Sequence, residues 1–421
     1  MPVSLQSSNP DRPLRTALVQ QRAAVIDRCT RCQRCVAECR YLQSCGDPKV
    51  IAEAYDPADR YCQGLPFACS LCGLCKAVCP EAVDPTAMFL EMRRESVERG
   101  EGDYPEHGGL RAYEKRGTSK RYSWYGLPEG CDTIFFPGCT LSGSRAGQAR
   151  LVYEHMQKTI PAIGIVLDCC TKPSHDLGRE TYFRAMFGEL RAYLRAHRIK
   201  TVLVACPNCY QVFADYAPEF ETRTVYEVLD ETDLPETGRV SGTVTVHDPC
   251  VARFNAALQD SVRRLLAKKG LRIEEAPHTR NTALCCGEGG AVGRLAPELS
   301  SAWTAKRIGE ANSRRLLTYC AGCSRQLGAY GPTSHLLDLI FEPQVAISGH
   351  AKVAKAPLTY LNRLKLKKHF QTQVAATVRR ERTFAAEDQS RRGRFGKLAI
   401  LALIITLIVT IRLTGVAEYL E

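Results

Sequence analysis

Twenty-one cysteines among 421 residues constrain this chain more than any other feature. A chain of this length can bury its own cores and needs no covalent staples. Such a cysteine density means either a disulfide framework in an oxidising compartment or metal ligation in a reducing one. From Met1 to Arg28 the residues run through Pro, Ser, Asn, Asp and Arg, with neither an apolar core nor a small-residue cleavage site, so no secretory signal is expected. The thiols are therefore expected to be reduced and available to metal.

Eight cysteines form two runs of one kind. Cys29-x-x-Cys32-x-x-Cys35-x-x-x-Cys39 and Cys69-x-x-Cys72-x-x-Cys75-x-x-x-Cys79-Pro80 match the bacterial ferredoxin pattern. A spacing of three lets one tight loop aim three thiolates at three irons of a cube, while the fourth ligand arrives from elsewhere. In two-cluster proteins that fourth cysteine serves the other cluster. One [4Fe-4S] cubane is therefore expected on Cys29, Cys32, Cys35 and Cys79, and a second on Cys69, Cys72, Cys75 and Cys39. Zinc would want two pairs per site rather than triplets with a trailing fourth. Arg40 stands where the pattern usually has proline, which weakens a turn but removes no ligand.

Ten more cysteines form a second pattern, written twice. Cys139, the pair Cys169-Cys170 and Cys206-x-x-Cys209 recur as Cys250, Cys285-Cys286 and Cys320-x-x-Cys323, displaced by 111, 116 and 114 positions. Offsets this similar indicate a duplicated module. Apolar runs of strand length at 133–138, 163–168, 201–206 and 244–250 alternate with helical patterns such as 179–197 and 258–269, which predicts α/β units with short parallel sheets. Adjacent cysteines suit neither a cubane nor a tetrahedral zinc site, because neighbouring side chains diverge from one backbone. Five thiolates gathered at strand ends suit a more open cluster.

Here the sequence resembles the cysteine-rich, or CCG, domains of the heterodisulfide reductase family, including the iron–sulfur subunits of anaerobic glycerol-3-phosphate dehydrogenase and related respiratory complexes. The resemblance runs over about residues 25–345. It rests on Phe136-Pro137-Gly138-Cys139, Cys206-Pro207-Asn208-Cys209, His247-Asp248-Pro249-Cys250, Cys285-Cys286-Gly287 and Cys320-Ala321-Gly322-Cys323. It implies a non-cubane [4Fe-4S] cluster at each complete motif, with disulfide cleavage as the chemistry done there. One site would use Cys139, Cys169, Cys170, Cys206 and Cys209, the other Cys250, Cys285, Cys286, Cys320 and Cys323. Thr171 follows the first pair where glycine is usual, so that site could hold a variant cluster or a zinc ion. The second copy keeps Gly287, Gly289 and Gly290, which places any catalysis at Cys285 and Cys286. His247 invites a role as proton donor near Cys250, against the commoner case of a strand-end histidine bonded to backbone. Cys45, Cys62 and Cys131 are left over and read as small buried hydrophobes. The glycines do not complete a dinucleotide fingerprint, so no flavin or nicotinamide site is evident and electrons are expected from a partner.

The net charge of +12 would point to nucleic acid if it were spread over a folded surface, but ten of those charges lie between Lys352 and Lys397. Residues 398–411 then form an uncharged apolar run that continues past Arg412 to residue 417. A bilayer needs ~20 residues of helix, so a C-terminal anchor is expected if Arg412 snorkels. The basic flank would keep the rest of the chain in the cytoplasm. The whole reads as an α+β multidomain protein: a helical two-cluster ferredoxin domain at 1–100, a linker at 101–130, and tandem α/β CCG modules at 131–235 and 236–345 with a pseudo-twofold relation. A basic juxtamembrane segment at 346–397 and a membrane helix at 398–417 would follow. The expected role is a membrane-anchored electron-transfer subunit of an oxidoreductase on the cytoplasmic face of the inner membrane. It would link a flavin- or other redox-centre-containing dehydrogenase to a quinone or thiol/disulfide acceptor, with no nucleic-acid partner. The alternative is a non-catalytic scaffold that tethers a dehydrogenase to the membrane.

Overall fold

Prolines open the helices that build the N-terminal domain. Pro48 and Pro85 occupy first turns, where the missing N–H costs nothing. The aspartate before each one caps its helix: Asp47 accepts from the N–H groups of Lys49 and Val50, and Asp84 from that of Ala87. The computed structural model describes residues 12–387. In it the helix Pro85–Glu98 buries Met88, Phe89 and Met92 against Leu18, Val25, Tyr41 and Leu42. Its charged face is buried as well, at Glu91, Arg93, Arg94, Glu95 and Arg99, because the helix is wedged against the α/β part of the chain. Arg15 and Arg94 both reach Glu180 across that boundary.

The α/β part contains two sheets. The first consists of β1 (Trp124–Pro128), β2 (Thr133–Phe136), β3 (Gly164–Leu167), β4 (Thr201–Val204) and β5 (Glu221–Thr224). The second consists of β6 (Thr243–His247), β7 (Arg272–Ile273), β8 (Arg315–Thr318) and β9 (Thr333–His335). A late strand, β10 (Ala376–Arg380), returns to the first sheet, whose order is β10-β1-β3-β2-β4-β5; the second runs β7-β6-β8-β9. Strands β2 to β5 and all of the second sheet are parallel, whereas β1 and β10 are antiparallel additions. Ile134, Phe135 and Phe136 are all fully buried, as expected for parallel strands covered on both faces. Phe135, Ile165 and Leu203 share one core with Val244, Val246 and Leu317 of the second sheet. The opposite face, with Ile134, Phe136 and Val204, packs against Phe183, Leu190 and Phe213.

The two repeats meet at equivalent positions. The Tyr226 hydroxyl lies 3.0 Å from Ala205 O and 2.9 Å from Tyr319 O, bridging the residues that precede the two C-x-x-C segments. Buried Arg145 pairs with Asp338 at 2.9 Å and donates to Ser324 Oγ at 2.8 Å.

Three expectations need correction. No helix among the described residues is long and apolar enough to cross a membrane. The membrane helix expected at 398–417 lies outside the described residues, and those described form a mixed α/β fold with no spanning helix among them. The segment 346–397, expected as basic juxtamembrane chain, packs back onto the protein as far as residue 387, through the helix Leu358–Gln373 and β10. Its charges are used internally: Arg363 Nη2 donates to Gly117 O, Lys367 Nζ to Lys120 O, and fully buried Arg382 pairs with Asp168 and Glu189. A charge count cannot tell a lipid-facing cation from one that caps carbonyls and carboxylates inside a fold. Finally, the expected linker 101–130 contains the helix Gly108–Gly117 and β1.

Candidate metal centres

Both ferredoxin-type loops carry the same backbone strain. Arg31 and Gln33 flank Cys32 in the left-handed region (φ 54° and 64°), and Leu71 and Gly73 flank Cys72 in the same way (φ 52° and 71°). A non-glycine residue there costs about 1–2 kcal/mol. Its repetition at matching positions reflects a loop that must turn three thiols toward one point. The third cysteine then rides on a short helix, Arg34–Glu38 or Leu74–Ala77, and the fourth follows its end. Cys29, Cys32, Cys35 and Cys79 surround one cavity, beside Asp47 and Pro48, with Cys75 at its edge. Cys39, Cys69, Cys72 and Cys75 surround the other, beside Phe89 and Trp303. Cys32 is exposed, so the first site reaches solvent through one of its ligands. Burial and neighbouring thiols push Cys35 up to about 11 and Cys39 up to about 12; Cys69 and Cys75 rise as well, mainly through burial. Thiols crowded in this way cannot ionise together unless a multiply charged cation sits among them, and iron–sulfur cubes fit that donor set.

Eight of the other ten cysteines follow the carboxyl ends of parallel strands, while Cys285 and Cys286 lie in irregular chain after the short turn Arg280–Thr282. Cys139 follows β2, the pair Cys169-Cys170 follows β3, and Cys206 and Cys209 open the helix after β4. Cys250 follows β6, and Cys320 and Cys323 open the helix after β8. In both repeats the adjacent cysteines diverge to different partners. Cys169 lies 3.7 Å from Cys139, and Cys170 lies 3.3 Å from Cys209. In the second repeat Cys285 neighbours Cys250 and Cys286 neighbours Cys323, and each pair shifts its thiols' ionisation. The second cysteine of each pair is the more acidic. Bonds from Cys169 and Cys209 bring Cys170 down to about 6, and those from Cys285 and Cys323 hold Cys286 well below an ordinary thiol. Thr171 takes the left-handed conformation (φ 56°) that Gly287 takes in the second repeat (φ 97°), and its hydroxyl donates to Cys170 O at 2.8 Å. Threonine at this position thus leaves the path of the backbone intact.

Two contacts join the sites into one system, and spacing alone gave no sign of either. Cys72 of the second ferredoxin loop lies beside Cys285 of the second repeat, close enough for each thiol to shift the other's ionisation. Cys206 and Cys320, at equivalent positions of the two repeats, face each other across the seam, close enough for each thiol to shift the other's ionisation. The glycines after Cys286 make the first of these possible. A Cβ at Gly289 would stand 2.6 Å from Ser70 O, and one at Gly290 would stand 2.7 Å from Cys69 O. His247 is fully buried; one of its ring nitrogens and the Cys286 and Cys323 sulfurs lie within 4.8 Å of one another. Neither ring nitrogen bonds to backbone, and burial keeps the imidazole below its ordinary value, hence neutral. Cys45, Cys62 and Cys131 are half-buried; Cys62 and Cys131 face the carbonyls of Ala54 and Thr133. Sequence reasoning also missed two buried arginines. Arg93 donates to Pro66 O, Cys69 O, Asp176 O and Gly290 O, and Arg253 donates to Cys72 O, Asn281 O and Ala283 O. Nothing in the run MFLEMRRESVER marks its arginines as buried rather than solvated.

The 4Fe-4S dicluster domain family matches residues 28–84, and the CCG cysteine-rich domain family matches residues 244–328. One component of the dihydromethanophenazine:CoB–CoM heterodisulfide reductase from Methanosarcina barkeri is 23% identical over 388 residues, covering 77% of this chain and 94% of the relative. One component of the fumarate reductase (CoM/CoB) from Methanothermobacter marburgensis is 24% identical, covering 70% of this chain and 66% of the relative. The EtfAB:quinone oxidoreductase of Syntrophomonas wolfei is 23% identical over 59% of this chain and 40% of its own length.

Proposed function

We propose that this chain, an iron–sulfur protein homologous to a component of heterodisulfide reductase, is the electron-transfer subunit of an oxidoreductase complex, carrying electrons from a partner's redox centre to a two-electron organic acceptor at the seam between its repeats. One observation supports this above the others: a series of neighbouring cysteines that shift one another's ionisation. It runs from exposed Cys32 through the two ferredoxin cavities, across Cys72 to Cys285, and on through Cys320 to Cys206. Clusters on these ligands would supply one-electron steps. The chain's own residues hold the ligands, keep water from the inner stations and set the order of transfer. The paired sites suit an acceptor that takes two electrons and two protons, as when a disulfide becomes two thiols or a quinone becomes a quinol. The disulfide reading is favoured because the relative named for a disulfide is matched along 94% of its length, and the one named for a quinone along 40%.

The reading is tested by reducing the anaerobically purified chain and mixing it with an organic mixed disulfide or with a short-chain naphthoquinone, while following cluster absorbance. Reoxidation by the disulfide, lost in Cys286→Ser, is expected. Reoxidation of that variant at the native rate would place acceptor chemistry elsewhere, and reoxidation by the quinone alone would identify the other acceptor class. Four filled four-iron sites require ~16 iron atoms per chain. About half that iron, accompanied by zinc, would confine clusters to the ferredoxin domain.

A further inference from the structure

Two buried guanidinium groups bracket the ligand loop of the second ferredoxin site, and among the described residues no carboxylate forms an ion pair with either. Arg93 is fully buried and Arg253 nearly so, at 2% exposure. Arg93 Nη2 donates to Cys69 O at 2.6 Å, and Arg253 Nε and Nη2 both donate to Cys72 O at 3.1 Å. Their remaining protein partners are backbone carbonyls, and among the described residues neither has a carboxylate within ion-pair distance. The carboxylate of nearby Asp176 is taken by Lys172 and His175. Burying a cation without a counter-charge is costly, so these two require an anion close by. A cluster held by the thiolates of Cys69 and Cys72 would supply one.

The first ferredoxin loop is different. Its arginines lie at the surface, where Arg31 pairs with Glu53 at 2.6 Å and Arg28 donates to Glu81 O. Solvent and paired carboxylates screen those charges.

We infer that Arg93 and Arg253 raise the reduction potential of the second ferredoxin site above that of the first, making it the station where electrons collect before they pass to Cys285. The inference rests on the electron-path reading above. Adding one electron to a cluster–thiolate unit adds one negative charge. A fixed cation a few ångströms away in a low-dielectric interior stabilises that added charge more than it stabilises the oxidised unit. Burial alone acts the other way, because it disfavours the more highly charged reduced state. The two arginines reverse that bias. Since both also donate to the second repeat, through Gly290 O, Asn281 O and Ala283 O, the residues that tune the site also seat it against Cys285.

The test is a redox titration of the anaerobically purified full chain with dithionite and mediators, followed by electron paramagnetic resonance. In the native protein the second site should reduce at the higher potential. Arg253→Gln should move its midpoint downward and leave that of the first site in place. An unmoved midpoint in this variant overturns the inference. If Arg253→Gln does not retain the second cube, Arg253→Lys decides, because it keeps the charge and gives up the paired donors: a near-native midpoint supports the inference, and a lowered one overturns it. Absence of two separate cube signals in the native chain is a different failure, one that removes the electron path itself.

Discussion

The two cysteine repeats hold the same thiol pattern on differently built scaffolds. Among the described residues the first rests on a six-stranded sheet whose edge is completed by antiparallel β1 and β10, whereas the second has four parallel strands and no such addition. Phe136-Pro137 precedes Gly138-Cys139 in the first, while His247-Asp248 stands before Pro249-Cys250 in the second. The second repeat places Cys285 against Cys72 of the ferredoxin domain; the first makes its thiol contacts internally or across the seam to Cys320. A chain that had simply doubled one electron-transfer unit would present both copies to the donor. Both copies touch the ferredoxin domain, but among the described residues the second is the one that brings a thiol to its ligand loops, which supports transfer through the copies in series.

The largest expected effect breaks that series. Cys285→Ser replaces a soft thiolate with a harder, far less acidic oxygen, and should stop electrons before both repeats while the ferredoxin sites remain reducible. Cys169→Ser should spare reduction of the second site and abolish only the signal of the first. Stopped-flow reduction combined with electron paramagnetic resonance reads both, and equal effects from the two variants would mean that the sites work in parallel.

The residue after each pair gives the next contrast, in stability. A Cβ at Gly287 would lie 2.4 Å from Ser300 O and 2.6 Å from Thr304 Oγ1, at φ 97°. Gly287→Thr should therefore cost about 3 kcal/mol or more. Thr171→Gly relieves left-handed strain but loses a hydroxyl bond to Cys170 O, and should stay within about 1 kcal/mol of native. Denaturant midpoints at constant m-value measure the difference, and similar losses in both variants would erase the distinction between the two loops.

Arg382→Met tests the added edge of the first sheet. It leaves fully buried Asp168 without its cation, and should cost about 3 kcal/mol, with local opening of β1 and β10 visible by hydrogen exchange while β6 and β8 stay protected. Protection lost equally in both sheets would show that the late strand belongs to the whole core rather than to the first repeat.

The smallest effect concerns Asp248. Burial pushes its carboxyl up, but Arg263, the Arg280 N–H and the Tyr319 hydroxyl outweigh it and hold the group below the ordinary carboxylate value. A depressed folded value means stability that is fully present above the unfolded value of about 3.9 and lost as pH falls through the folded one. Asp248→Asn should cost about 2 kcal/mol at neutral pH. It should also flatten the fall in stability below pH ~4. An unchanged acid limb would show that Asp248 carries no such linkage.

Much of the site was legible in the chain because cluster ligation is local chemistry. Three thiols aimed from one tight loop leave the spacing of Cys29, Cys32 and Cys35, and a duplicated strand-end motif leaves the offset between Cys139 and Cys250. The strands 133–136 and 201–204 were legible for a similar reason, since a strand covered on both faces must be apolar throughout. What the sequence left open depended on distance in space rather than along the chain. Whether a positive charge faces lipid or carbonyl oxygens is not written in its residue type, so Arg363, Lys367 and Arg382 read as a membrane flank and instead lie inside the fold. Arg93, in the midst of an ordinary amphipathic helix, acquires its place only when three segments far apart in sequence close around it. The meeting of Cys72 with Cys285, and hence the order of the stations, was decided by packing, because the glycines that allow that approach gain their meaning only from the backbone standing opposite them.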